Sequence, residues 1–243
     1  MPIPARTLLT VALLIALSPR VSAQIDLSPP ATEEGLADVD WKGILGDSFR
    51  LLILEHSVRI GAQDKTRAEL GGPFWKDYHR SVKMPQSWGD GDGWLVNYVG
   101  HPGHGAAAGF IWLHRDRRAP SHLTSFDRRY LSTRLRATAW SAVYSVQFEL
   151  GPFSEASIGN VGKDPATTGW VDYVVTPLGA FGVMLAEDAM DKYVLAPLER
   201  KLPDPVSRAI LRSVLNPSRS MAHLSSGRAP WYRSTRRLSG PAD

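Results

Sequence analysis

Apolar residues return along this chain at helical intervals, and strand-like alternation is nowhere sustained over several segments. Trp41, Ile44, Leu45, Phe49, Leu52 and Ile53 recur in this way and continue through Ile60, which predicts a first helix with Asp40 as its N-cap. Gly71-Gly72-Pro73 breaks the run, Phe74 to Val82 is a short amphipathic piece, and Trp88-Gly-Asp-Gly-Asp-Gly93 is a loop. A second helical block covers Trp94 to Leu113. A third covers Phe126 to Leu150, with Leu131, Leu135, Ala139, Ala142, Val143 and Val146 on one face, and stops at Gly151-Pro152. After a polar stretch from Ser154 to Thr168 come a fourth block, Trp170 to Leu198, and a last helix, Pro205 to Leu215, ahead of Pro217. No internal repeat is present. The expected fold class is all-α, a single-domain helical bundle with proline-interrupted helices.

Two prolines set the expected interruptions. Pro102 restricts His101 and removes a backbone donor, so the second block should kink or restart there. Thr176 before Pro177 has the form of an N-cap with proline at the first helical position, so a helix should restart at Pro177 and run to about Leu195. Asp172 then falls in a preceding short segment, and Glu187, Asp188 and Asp191 form the polar face of the restarted helix.

The ends read differently from the middle. Residues 1–23 carry Arg6, an apolar run from Thr7 to Ser18 and a small-residue site at Val21-Ser22-Ala23, the pattern of a signal peptide cleaved before Gln24. Export to the periplasm follows from it. Residues 24–40 read as a flexible leader, 41–216 as the helical domain, and 217–243 as a basic C-terminal tail, solvated or in contact with anionic lipid. The net charge of +4 falls to +2 once Arg6 and Arg20 leave with the signal peptide, so nucleic acid is not an expected partner. The chain has no cysteine, which excludes thiolate nucleophiles, zinc knuckles, disulfides and a lipoprotein anchor. Gly169 to Ala186 holds one charge, Asp172; its Pro and Gly residues favour a buried core helix over a membrane span.

Candidate chemistry falls in three segments. Asn97 and His101 are four apart and share a helix face, and Gly105-xxx-Gly109 offers a flat stripe to a neighbouring helix. His101 and His104 are spaced to clip a metal only if carboxylates come from elsewhere, so no metal is assigned. Glu149 closes an apolar helix, where the helix dipole disfavours a carboxylate, so it needs a partner. Asp172, between Trp170 and Tyr173, needs one too, with His101, His56 and Arg59 as candidates. No phosphate-binding loop, dinucleotide fingerprint or nucleophile elbow is present, no cofactor is assigned, and Asp90-Gly-Asp92-Gly lacks the spacing of a calcium loop.

Taken together, several segments resemble a family of exported bacterial envelope proteins of unknown function. They are Leu70 to Tyr78, Trp88 to Gly93, Asn97-xxx-His101-Pro102, Gln147-Phe-Glu149, Ser154 to Asn160, and Asp172-xxx-Thr176-Pro177-xx-Ala180. The wider family pairs an Asn…His-Pro segment with an aromatic-Glu segment and an Asp…Thr-Pro segment. The resemblance spans residues 41–200 and implies an exported helical domain associated with the outer membrane, with no activity to transfer. His104 is outside the family pattern.

Two functions follow. In the first, the protein is a non-catalytic, membrane-apposed helical module that contacts lipid or another envelope protein; Asn97, Thr176, His56, Arg59 and Asn160 join His101, Glu149 and Asp172 in a buried polar network. In the second, it is an envelope hydrolase or transferase acting on lipid or cell-wall material. His101 is then general base or metal ligand, Asp172 or Glu149 orients it, and Asn97 offers its amide to an oxyanion. An imidazole open to a pocket favours the second reading, and a closed network the first. No oligomeric state is read from the sequence.

Overall fold

The structure is a computed structural model that describes residues 39–62, 64–70, 74–81, 87–119, 127–158, 169–234, 236 and 238. The expected signal peptide, residues 24–38 of the leader and Asn160 lie outside these residues. The helices are α1 (Trp41–Ala62), α2 (Asp64–Glu69), α3 (Phe74–Ser81), α4 (His101–Arg115), α5 (Arg128–Leu150), α6 (Glu155–Ile158), α7 (Val171–Met190), α8 (Ala196–Glu199), α9 (Pro205–Leu215) and α10 (Pro217–Ser225). A π-helical turn, Val96–Gly100, runs directly into α4, and a second, Asp191–Leu195, joins α7 to α8. Among the described residues there is no strand, only two isolated bridges, Val39 with Asp116 and Ser87 with Gly169. The fold is all-α and single-domain.

Local chemistry starts these helices where the sequence places them. The Asp40 carboxylate accepts from the Gly43 amide at 2.9 Å, Asp127 accepts from Tyr130 at 2.7 Å, and Asp204 accepts from Val206 and Ser207 ahead of α9. Pro205 and Pro217 sit in the first turns of α9 and α10, where a missing N–H costs nothing.

Helix α4 is the centre, packed against α1, α5, α7 and α10. Ala106, Ala107, Ala108, Phe110 and Ile111 are fully or almost fully buried. The small-residue stripe does what its pattern suggests. A Cβ on Gly105 would lie 2.7 Å from Thr176 Cγ2 and 3.0 Å from the Thr176 carbonyl oxygen, and one on Gly109 would lie 2.6 Å from Met184 Sδ. Glycine is required there because α4 and α7 meet almost backbone to backbone. On the other side, Ser141 Oγ donates to the Gly105 carbonyl at 2.5 Å and Ser145 Oγ to the Asp172 carbonyl at 3.2 Å, tying α5 to both.

Four expectations are corrected. No helix restarts at Pro177: α7 begins at Val171 and carries Pro177 inside it, so Thr176 is interior and not a cap. Packing of Thr176 on Gly105 and of Gly179 on Pro102 holds the helix through the proline. The apolar face expected on α5 is partly reversed. Leu135, Val143 and Val146 are exposed, while Thr133, Arg134, Ala137, Ser141 and Ser145 face inward. The facing helices are so close that small side chains and hydroxyls fit where leucine would not.

Residues 217–243 are not a solvated tail as far as they are described. Helix α10 packs on α4, and Arg233 is buried. Finally, Glu187, Asp188 and Asp191 do not form a solvent face; all three are buried. Glu187 accepts from the Ser218 and Arg219 amides at the start of α10, at 2.8 and 3.0 Å. Asp188 pairs with Arg134 at 2.7 Å and with Arg219. Asp191 pairs with Arg233 and Arg236, and Glu199 with Arg212 and Arg236.

Candidate functional site

Three helix ends converge opposite that arginine-rich end. His101 opens α4, Glu149 is in the last turn of α5, and Asp172 is in the first turn of α7. They are 7%, 4% and 4% exposed. One candidate donor atom from each lies within 4.8 Å of the other two. His101 Nε2 is 3.5 Å from Asp172 Oδ1, too far for a hydrogen bond of normal length. His101 is aimed here by the π-helical turn before it, a distortion that often marks a functional position.

The cluster is short of donors. Glu149 Oε1, Asp172 Oδ1, His101 Nδ1 and Thr176 Oγ1 are buried without a hydrogen-bond partner. Among the described residues, neither Glu149 nor Asp172 pairs with an arginine or lysine. Burial, and then the nearby Glu149 and Asp90 carboxylates, push the Asp172 carboxyl far above the usual carboxylate range. Burial does the same to Glu149, against partial relief from His104 and Arg59. Burial lowers His101 to about 3, leaving a neutral imidazole that accepts. Asp90 extends the group: it shares a hydrogen bond with Asp172, and its Oδ1 accepts from the Asn97 amide at 2.8 Å and from the Asp92 N–H at 3.0 Å.

A cleft of about 300 Å³ reaches His101. Its walls include Glu55, Val58, Arg59, Asp92, Val96, His104, Phe148 and Glu155; Glu149 and Asp172 stand behind the imidazole. His104 stands beside the cluster and is held through one ring nitrogen. Its Nδ1 lies 3.2 Å from Glu55 Oε2, which also accepts from the Tyr144 hydroxyl at 2.8 Å. Burial alone would lower the His104 value, but the Glu55 carboxylate outweighs it and holds the imidazole above its usual range.

Each residue singled out in the sequence now has a place. His101, Glu149 and Asp172 meet, Thr176 lies one turn along α7 from Asp172, and Asn97 reaches them through Asp90. Asn97 is buried and engaged with Asp90, so it does not present its amide to an oxyanion in the cleft. His56 is not a partner of Asp172: its ring stacks on Phe148 at 4.9 Å, and burial lowers its pKa. Arg59 pairs with Glu155 on the cleft wall. The two-histidine metal clip does not form, because His104 is not among the residues whose ligand atoms converge with His101.

Sequence reasoning passed over Asp90, Tyr144 and Phe148. Asp90 was legible only as part of a turn, and the aromatic pair looked like ordinary core. Phe148 in fact separates the imidazoles, with His104 edge-on at 4.6 Å and His56 stacked. Compared with protein-family models, curated proteins and solved structures, the chain matches none.

Proposed function

We propose that the protein is an exported envelope hydrolase or acyl- or group-transfer enzyme whose reaction centre is His101 with Glu149 and Asp172, acting on lipid. The observation that carries this reading is the cleft ending on a buried imidazole beside two carboxyls, each with one buried oxygen that has no partner. A network kept only for packing is favourable when its members are satisfied, and this one leaves four polar atoms without partners. The imidazole lines the cleft, and Asp172 Oδ1 lies 3.5 Å from its Nε2, a gap that a small closure on substrate would turn into an orienting hydrogen bond.

Lipid is favoured over cell-wall glycan by the apolar character of the cleft and its surroundings. Val58, Val96 and Phe148 line it, and Trp94, Leu95 and Val99 nearby are exposed. Exposed apolar residues also run in rows along α1 (Trp41, Leu45, Phe49, Ile53) and α9 (Val206, Ile210, Val214). These rows support a membrane-apposed placement, although no helix among the described residues is long and apolar enough to cross a membrane.

The test is incubation of the purified full chain with phosphatidylethanolamine–phosphatidylglycerol vesicles, and separately with peptidoglycan sacculi, with products read by mass spectrometry. Lipid products that disappear in a folded His101→Gln variant are expected. Products from sacculi alone would replace lipid with cell-wall substrate. No product from either, with His101→Gln changing only stability, would return the cluster to the non-catalytic reading.

A further inference from the structure

We infer that His101, Glu149 and Asp172 together bind a divalent transition-metal cation, with zinc preferred over manganese; this rests on the reading of the cluster as a functional centre. The inference differs from the sequence expectation, which assigned no metal, because the two carboxylates that a histidine site would need come from helices far apart in the chain.

The geometry is close to that of a coordination shell. Tetrahedral ligand atoms about 2.0–2.2 Å from an ion stand roughly 3.3–3.6 Å from each other. His101 Nε2 and Asp172 Oδ1 are already 3.5 Å apart, and all three candidate atoms lie within 4.8 Å, so an ion requires the cluster to close by about 1 Å at most. Each side chain is more than nine-tenths buried, and Glu149 Oε1 and Asp172 Oδ1 are buried without partners.

A second observation is independent of those distances. Elsewhere, the buried acids of α7 and α8 have their own donors: arginines for Asp188, Asp191 and Glu199, and backbone amides for Glu187. At the His101 end, Asp172 of α7 lies beside Glu149 of α5 with no arginine or lysine paired to either among the described residues. A cation between them supplies the missing positive charge. One imidazole nitrogen and two carboxylate oxygens, with no sulfur, suit zinc or manganese, and the usual affinity order places zinc above manganese. Asp90, held by Asn97, shares a hydrogen bond with Asp172, and it serves as an outer partner of the ligand carboxyl when it takes over the proton of that bond.

The experiment uses the untagged full chain after chelator treatment and dialysis. Thermal unfolding is followed with added Zn²⁺, Mn²⁺ or Mg²⁺, and Mn²⁺ binding is followed by loss of the free-ion EPR signal. One ion per chain is expected, with a rise in Tm for Zn²⁺ and Mn²⁺ and none for Mg²⁺. Glu149→Gln and Asp172→Asn should weaken Mn²⁺ binding at least 10- to 100-fold, a range set by losses seen even for outer-sphere residues, while the metal-free variants stay folded. If either variant fails to fold, His101→Gln read by EPR takes its place.

No Tm shift and no EPR loss in the wild type overturns the site, as does an equal response in the variants. Lipid hydrolysis that survives chelation in a protein that binds no ion overturns the cation and leaves the hydrolase standing. Ion binding without any hydrolysis does the reverse.

Discussion

The two ends of helix α7 bury acids at similar depth and treat them in opposite ways. At its C-terminal end, Asp188, Asp191 and Glu199 meet Arg134, Arg219, Arg233, Arg236 and Arg212, and most of these side chains are buried. At its N-terminal end, Asp172 meets Glu149 and a neutral histidine. The titration directions separate the two ends. Burial would raise the Asp191 value, but Arg233, Arg219 and Arg236 overcome it and hold the carboxyl below its usual range. Burial raises Asp172, and the neighbouring carboxylates raise it further. Buried ion pairs matched one against another serve the fold. Buried acids left facing each other cost stability and persist in natural proteins mostly where a site requires them.

The largest break in this comparison comes from emptying one arginine. Arg212 is 1% exposed, donates to both Glu199 oxygens at 2.7 and 2.8 Å, and also donates to the Trp231 and Arg236 carbonyls. Arg212→Met should cost about 3–5 kcal/mol in urea unfolding, because Glu199 would lose its bidentate partner in the interior.

Acid should strike the same end next. His114 and His223 stack with ring centroids 4.5 Å apart. Burial, then the facing imidazole and Arg219, Arg228 and Arg233, hold His114 well below 6.5. Burial, then Arg233 and Arg219, lower His223 to about 3 despite its contact with the Pro230 carbonyl. Both rings are neutral when folded and take up protons when unfolded, so their stabilising effect is complete above pH 6.5 and is lost as pH falls from there toward 3. At pH 5 the loss is about 2 kcal/mol for His223, with a further loss in the same direction from His114, measurable as a fall in Tm between pH 7 and pH 5. His223→Phe should flatten that slope.

Shape, not charge, joins the helices at the other end. Gly105→Ala pushes a methyl against the Thr176 carbonyl and should cost about 1–3 kcal/mol. Gly46→Ala, on an open face of α1 with nothing within 4 Å of the new methyl, should gain about 0.5–1 kcal/mol. Both are read by denaturant midpoints, and equal effects at the two glycines would refute the close approach of α4 and α7.

Much of this was legible in the chain, and the failures have physical causes. The helices over 41–62, 128–150 and 205–215 follow from apolar spacing, the Asp40 cap and the Gly and Pro stops, while the Asp127 and Asp204 caps emerge only in the structure; the Gly105 stripe correctly marked a close contact. His101, Glu149 and Asp172 could be named as a group because each is an unusual polar residue in an apolar run, and such residues need one another. What the sequence could not show was which apolar residues turn outward. Leu135 and Val143 look like core until the nearness of α4 excludes them. Local rules also failed where packing was strong: Pro177 looked like a helix start, but α7 runs through it. The arginines at 233 and 236 read as a solvated tail because their partners, Asp191 and Glu199, stood about 40 residues earlier and looked like a polar face.

One measurement tests the contrast most directly: urea unfolding, in metal-free buffer at pH 7, of the same isosteric change at both ends. Glu199→Gln removes a carboxylate that two arginines grip and should destabilise the protein by about 2–4 kcal/mol, whereas Glu149→Gln removes one that faces another acid and should stabilise it by about 1–2 kcal/mol. Opposite signs are the predicted result. A loss of stability of similar size in both variants would contradict the account, because Glu149 would then have a partner in the folded protein.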